Sequence, residues 1–70
     1  MKHLFPILLL GLVDSIEEDY VAAEVNNSIG EVRQVEIPLS LFPCDISEGE
    51  MFYVVTSGGV TEIRCGEPDA

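Results

Sequence analysis

V-E-I-P-L-S-L-F-P-C-D-I-S-E-G-E-M-F-Y-V-V, residues 35–55, contains two strand patterns separated by a compact apolar connection. Val35 and Ile37 alternate with polar neighbours, which is the period-two pattern of a half-buried strand. Pro38 has no backbone N–H, so the ladder ends there or the strand lies at a sheet edge. The stretch therefore predicts one strand that ends at Pro38 and another that begins just after Gly49.

The connection opens with an apolar cluster. Leu39, Leu41 and Phe42 stand close together, and Pro43 disfavours the helical conformation at the residue before it. A cluster this short, closed by a proline, predicts a single 3₁₀ turn that plugs one end of a barrel.

A polar turn at residues 45–49 completes the connection. Ile46 is its single apolar residue, and we expect it to be buried. Gly49 is expected to adopt a positive φ, which glycine reaches without steric cost, before Glu50 begins the next strand.

Alternation and turn-forming residues predict the other strands. An acidic turn at residues 17–19 and a loop at residues 26–30 separate them, and Gly58-Gly59 predicts a two-residue turn of the primed type. The predicted strands are residues 7–16, 20–25, 32–37, 50–57 and 60–65. Five short strands without a helical period predict an all-β fold, a small five-stranded antiparallel SH3-like barrel, with an OB-like barrel as the alternative. Closure of the sheet would remove its exposed edges.

Three blocks occur in order along the chain: GLVDSIEEDYVAAEV at residues 11–25, IPLSLFP at residues 37–43 and ISEGEM at residues 46–51. Together they resemble a small bacterial family catalogued as domain of unknown function 3006. The resemblance covers about residues 11–56 and implies the same fold. The family brings no known activity, so the resemblance implies no chemistry. This chain differs in its apolar extension before Gly11, in Ser15 where members carry a basic residue, and in lacking a basic tail.

The N-terminal residues are Met1-Lys2-His3, followed by an apolar run at residues 4–13. A basic start before about ten apolar residues is typical of a secretory signal. However, no small-residue cleavage site follows, Pro6 interrupts the run, and a membrane span needs about 20 apolar residues. We therefore expect an uncleaved segment and no membrane span. The expected organisation is an apolar arm or extra strand at residues 1–10, the barrel at residues 11–65 and a loose acidic tail at residues 66–70.

Acidic residues dominate the charge: 13 Asp and Glu stand against 3 Lys and Arg, for a net charge of −10 at pH 7. This charge repels nucleic acid and anionic membranes, and it favours basic partners or solubility alone. Tyr20, Phe52 and Tyr53 would offer a stacking platform for single-stranded nucleic acid, but the cationic half of that recognition is missing. We expect no direct binding of nucleic acid.

Two cysteines, Cys44 and Cys65, are too few for a disulfide framework, and their spacing is not that of a metal site. Two readings stay open: a pair of reduced, buried residues, or one candidate disulfide. Pairing of the last two strands would bring Cys65 towards Cys44. A bridge closing a loop of about 20 residues would contribute roughly 3 kcal/mol.

Residues that carry chemistry are few. His3 is the only histidine, and nothing in the sequence places a nucleophile or carboxylate beside it. The carboxylate of Asp45 disfavours a reactive thiolate at Cys44, and residues 17–19 lack the alternating ligands of a calcium loop. We therefore expect no enzyme activity, no cofactor, no metal and no small-molecule ligand.

The first functional hypothesis is a protein-interaction or structural accessory module. The apolar arm exceeds what a barrel of this size covers, and such an arm adds a strand to a neighbour's edge or lies in its groove. The assembly would be a complex with a companion subunit, a ring of copies or a larger shell such as a viral capsid. We expect it in the cytoplasm or within that assembly. The expected contact residues are Leu4, Phe5, Ile7, Leu8, Leu9 and Leu10.

Two alternatives stay open. An acidic decoy would mimic nucleic acid and block the basic groove of another protein. Its candidate acidic surface is Glu17, Glu18, Asp19, Glu24, Glu36, Glu48 and Glu50. An exported domain would instead be held by the candidate disulfide and kept near a membrane by its apolar start.

Overall fold

The computed structural model of the protein describes residues 7–68 as a five-stranded antiparallel sheet. The elements are β1 (Ile7–Glu17), β2 (Tyr20–Asn27), β3 (Val32–Pro38), a 3₁₀ turn (Leu39–Leu41), β4 (Met51–Ser57) and β5 (Val60–Cys65). The all-β prediction is confirmed, and each strand agrees with its predicted range to within two residues. An SH3-like arrangement fits this fold.

The sheet is open, in the order β3-β2-β1-β4-β5. The expectation of a closed barrel is therefore wrong, because β3 and β5 each have a strand neighbour on one side only within residues 7–68. Side chains of Leu41 and Pro43, from the connection after β3, line the space between these two edges together with Ile37 and Ile63. We call this gap the seam. The connection thus occupies a place where direct pairing of β3 with β5 would close the sheet.

One face of the sheet carries the core. Phe52 is fully buried and meets Phe42 edge to face, with ring centroids 5.1 Å apart and an interplanar angle of 84°. Ile46, the expected anchor of the polar turn, is also buried, so the connection supplies two core residues. The core consists of Val13, Val21, Ala23, Val25, Phe42, Ile46, Phe52 and Val54.

Two register shifts interrupt the pairing of the central strand β1. Its pairing with β2 shifts between Val13 and Ser15, and its pairing with β4 shifts between Ile7 and Leu9. An extra residue in one strand increases local twist and bends it, which allows the sheet to curl around its core. At the first shift, Val13 exchanges backbone hydrogen bonds with the end of the connection: its carbonyl accepts from the Gly49 N–H (2.9 Å) and its N–H donates to the Glu50 carbonyl (3.0 Å).

Glycines with positive φ set the conformation of two turns. Gly49 has φ 85°, which confirms the expected positive value. Gly58 and Gly59 have φ of 59° and 84°, the signs that a type I′ turn requires at both central positions, so the primed turn is also confirmed.

The strand β1 crosses the boundary that the sequence suggested between the arm and the barrel. Leu9 pairs with Asn27 on β2 and Val54 on β4, and Leu10 is likewise paired on both sides. Residues 7–10 are therefore part of the sheet. Residues 1–6, with the expected contacts Leu4 and Phe5, lie outside the described residues.

A disulfide joins Cys44 in the connection to Cys65 at the end of β5, with their α-carbons 6.6 Å apart. It links residues 21 positions apart. The bridge ties the connection to the edge strand, and a loop of this length corresponds to about 3 kcal/mol of stabilisation. Beside it, the N–H of Gly66 donates to the carbonyl of Met51 at 2.8 Å.

Candidate interaction surfaces

The face of the sheet opposite the core carries apolar side chains at its centre. Leu12 of β1 pairs with Met51 on β4, while Leu10 pairs with Tyr53. Leu8 and Leu12 remain 43% and 41% exposed, respectively. We call the group Leu8, Leu10, Leu12, Val32 and Met51 the outer-face patch. A shallow depression within it is lined by four of these residues together with Glu24 and Asn26.

The alternation of side chains along β1 turns some of the expected contact residues towards the core and others towards the opposite face. Leu9 packs against the core and is not offered to a partner. Leu8 is exposed and Leu10 is half-buried. The alternation within β1 therefore leaves Leu8 and Leu10 for contact, and it adds Leu12, which the sequence did not single out because it lay inside the presumed barrel.

The seam forms a groove of about 700 Å³ between β3 and β5. Val54 forms its floor and is almost fully buried, whereas Leu41 on its rim is 59% exposed. The lining residues are Ile37, Leu41, Pro43, Val54, Thr61, Glu62, Ile63 and Arg64. The groove is thus largely apolar, with charged side chains along the β5 border.

Backbone groups of β5 face the seam. The Gly66 N–H bonds to Met51, and Phe52 is the register partner of Cys65. In an antiparallel ladder, hydrogen-bonded and non-bonded pairs alternate, so this bond makes Phe52 and Cys65 a non-bonded pair. The same alternation directs the N–H and C=O groups of Thr61 and Ile63 away from β4 and into the seam.

The other border of the seam follows the same rule. The Asn27 N–H donates to the Glu31 carbonyl at 3.1 Å, next to the register pair Asn26 and Val32. This bond makes Asn26 and Val32 a non-bonded pair, so the alternation directs the backbone groups of Gln34 away from β2. Two strand edges therefore border one apolar groove.

An exposed ion pair stands on the β5 border. The guanidinium Nη2 of Arg64 donates to Oε1 of Glu62 at 2.9 Å. This hydrogen bond, with the charge of the Glu62 carboxylate, raises the pKa of Arg64 above its ordinary value. Because both side chains are exposed and screened by solvent, the pair fixes the position of charge along the groove rather than stabilising the fold.

The seven expected acidic residues are exposed and occupy three places. Glu17, Glu18 and Asp19 lie at the β1–β2 turn, and Glu24 and Glu36 lie on β2 and β3. The remaining two are Glu48 in the polar turn and Glu50 directly after it, and their carboxylates accept hydrogen bonds from the backbone.

The carboxylates of Glu48 and Glu50 accept hydrogen bonds from backbone N–H groups. Oε2 of Glu48 accepts from Ile16 at 3.3 Å, and Oε1 of Glu50 accepts from Ser47 at 2.8 Å. These two residues therefore also hold the connection in place, and the expected acidic surface stays a prediction. Asp14 instead joins Glu36 beside a shallow depression on the sheet. Sequence reasoning missed Asp14 because its position depends on the irregularity in β1.

Within residues 7–68, no cluster of three or more His, Cys, Asp or Glu side chains is arranged to hold a metal ion. Cys44 and Cys65 are joined to each other. His3 lies outside the described residues. The expectation that the chain is not an enzyme stays a prediction.

Comparison with known proteins brings no relative: no family model, curated protein or solved structure matches the chain. The resemblance to domain of unknown function 3006 therefore stays a prediction. In the part of the chain that the structure describes, no helix is long and apolar enough to cross a membrane.

Proposed function

We propose that this chain is a non-enzymatic protein-interaction or structural accessory module that assembles through its apolar N-terminal segment. The observation that supports the proposal is the exposure of Leu8 and Leu12 on the central strand of the sheet. Apolar side chains scattered singly on a surface need no explanation, but adjacent ones that extend an apolar segment mark an interaction site.

The apolar segment and the outer-face patch are continuous along the chain. β1 begins at Ile7, directly after Leu4-Phe5-Pro6, and it carries Leu8, Leu10 and Leu12. A partner that covers this surface removes apolar area from water, at about 25 cal/mol for each Å² buried. The partner is a protein surface: a companion subunit, a second copy, or the subunits of a larger shell.

The proposal is tested by measuring the size of the native assembly and comparing the assembly of two variants with that of the unchanged chain. Removal of residues 1–6 spares the whole of β1, whereas a longer truncation would remove strand residues. Leu12→Gln makes the outer-face patch polar without touching the core. We expect each change to weaken assembly at least tenfold, which corresponds to roughly 1.4 kcal/mol.

Val60→Gln is the matched control, since Val60 is also exposed but lies outside the outer-face patch. It should assemble as the unchanged chain does. Equal assembly of all three variants and the unchanged protein would contradict the proposed function. Thermal melts of each variant separate a loss of contact from a loss of fold.

A second candidate, an exported disulfide-bridged domain, is favoured by the Cys44–Cys65 bridge. Disulfides persist in oxidising compartments and are rare in the cytosol. Mass spectrometry of protein from its native source, alkylated without reductant, tests this candidate. An oxidised pair in a chain that retains the central strand β1 would support export, while two alkylated thiols would exclude it.

A further inference from the structure

We propose that the seam between β3 and β5 accepts residues 1–6 of a second copy of this chain as an added strand. This inference rests on the proposed function, because it names the surface that receives the N-terminal segment. The added strand pairs with the free edge of β5 and places Phe5 over the apolar floor of the seam.

Of the two strand edges that border the seam, the β5 edge is the more suitable one to receive the added strand. Thr61 and Ile63 direct N–H and C=O groups into the seam, and the strand is six residues long. On the other border, β3 ends at Pro38, which has no N–H to offer. Backbone pairing supplies affinity in strand addition, while pockets for alternate side chains supply specificity.

The floor of the seam suits an aromatic residue. Val54 and Ile63 line it beneath a rim formed by Leu41. In an extended strand, Phe5 and Leu4 point to opposite faces, so one of them faces the floor. Phe5 buries the larger area, since an aromatic side chain covers roughly 150–250 Å².

Charge favours the same pairing. Lys2 is the only charged residue among residues 1–6 with His3 neutral, and the chain carries −10 in total, so residues 7–70 carry −11. The segment is thus cationic and apolar, whereas the body of every copy is strongly acidic. Glu62 and its ion-pair partner Arg64 both line the seam and balance each other there, so the attraction comes from the acidic body as a whole. Added salt should weaken this attraction by screening it.

The N-terminal segment of one copy cannot place Phe5 in the seam of that same copy. β1 begins at Ile7, opposite Val55, and both β4 and β5 lie between that point and the seam. Crossing two strand spacings takes about 10 Å, whereas the two residues from Phe5 to Ile7 span at most about 7 Å when extended. Phe5 therefore cannot pair along β5 of its own copy. A second copy has no such limit.

Sedimentation of the full chain over a range of concentrations tests the inference. Thr61→Pro removes an N–H that faces the seam and leaves the β4–β5 hydrogen bonds in place, because proline is tolerated where its nitrogen faces away from the ladder. Thr61→Val is the matched control, since it keeps that N–H. We expect Thr61→Pro and Phe5→Asp each to raise the dissociation constant of self-association at least tenfold, and Thr61→Val to leave it unchanged.

A second pair of variants keeps the test valid if Thr61→Pro fails to fold. Leu41→Glu places a charge on the rim of the seam, and Ser40→Glu places the same charge one residue away, outside the lining. Leu41→Glu should weaken association at least tenfold, and Ser40→Glu should not.

Mixing gives a further readout. A copy with Phe5→Asp retains its seam, and a copy with Thr61→Pro retains its segment, so the mixture should associate more strongly than either variant alone. If removal of residues 1–6 abolishes assembly while Thr61→Pro and Leu41→Glu assemble normally, the seam is not the acceptor and the inference is overturned, although the proposed function stands. A full chain that stays monomeric at every concentration also overturns the inference.

Discussion

The ring of Phe52 occupies the space where a side chain of Gly11 would stand. The two residues are register partners across β1 and β4. A β-carbon built on Gly11 would lie 2.6 Å from Cε2 of Phe52 and closer still to Cζ. Phe52 is fully buried, so its ring has little room to move. Glycine at this position lets a large aromatic ring pack directly on the backbone of the central strand.

Gly11→Ala should therefore lower the free energy of unfolding by roughly 1–3 kcal/mol, the usual cost of overpacking a core. Urea denaturation measures this change. Ser15→Ala, in the same strand but away from the ring, is the control and should change stability by less than about 0.5 kcal/mol. In the double variant Gly11→Ala/Phe52→Leu the loss should be less than additive, because the smaller side chain makes room for the methyl group. Strict additivity would contradict the contact.

Asn27 organises the loop between β2 and β3. Its Oδ1 accepts from the N–H groups of Ile29 (3.1 Å) and Glu31 (3.0 Å), and its Nδ2 donates to the Glu31 carboxylate at 3.0 Å. Asn27→Ala leaves the two backbone donors without this partner and should cost about 1–2 kcal/mol in the free energy of unfolding. Asn26→Ala is the matched control, and an equal loss in both variants, measured by thermal melting, would show that the side-chain bonds contribute nothing.

The β1–β2 turn holds Glu18 at φ 53°, a conformation that side chains with a β-carbon adopt at a cost. Glu18→Gly should remove that cost and raise the free energy of unfolding by about 1 kcal/mol. The substitution also removes a negative charge, so Glu18→Gln is needed as a control for charge alone. The prediction requires that the glycine variant melt at a higher temperature than the glutamine variant.

Local sequence signals were sufficient for the strands and turns, because prolines and glycines act on the residues next to them. Pro38 ended β3, and Gly49 and the Gly58-Gly59 pair adopted the expected conformations. The open seam and the irregularities in β1 depend on how distant strands meet, which periodicity alone does not record. For the same reason, the sequence did not distinguish the residues of the apolar run before Gly11 from one another. Pairing of β1 on both sides directs the side chain of Leu9 towards the core.

The disulfide links an otherwise irregular connection to an edge strand. Cys44→Ser/Cys65→Ser should lower the free energy of unfolding by about 2–4 kcal/mol, because the unfolded chain regains the entropy of an open loop. Denaturation with and without a thiol reductant measures the effect. The reductant should destabilise the unchanged protein to the same level and leave the double variant unaffected. A reductant effect on the double variant would contradict this account.

The excess of acidic residues should make stability depend on salt. With a net charge of −10, the compact state repels itself, and added salt screens that repulsion. The melting temperature should therefore rise between low and moderate sodium chloride concentration at pH 7. A parallel series near pH 4.1, the isoelectric point, removes most of the net charge and should show little rise. If the seam accepts the cationic segment of a second copy, the same salt should weaken association, so melting has to be followed at concentrations where the chain is monomeric. A melting temperature independent of salt at pH 7 would show that the carboxylates are too widely spaced to repel one another.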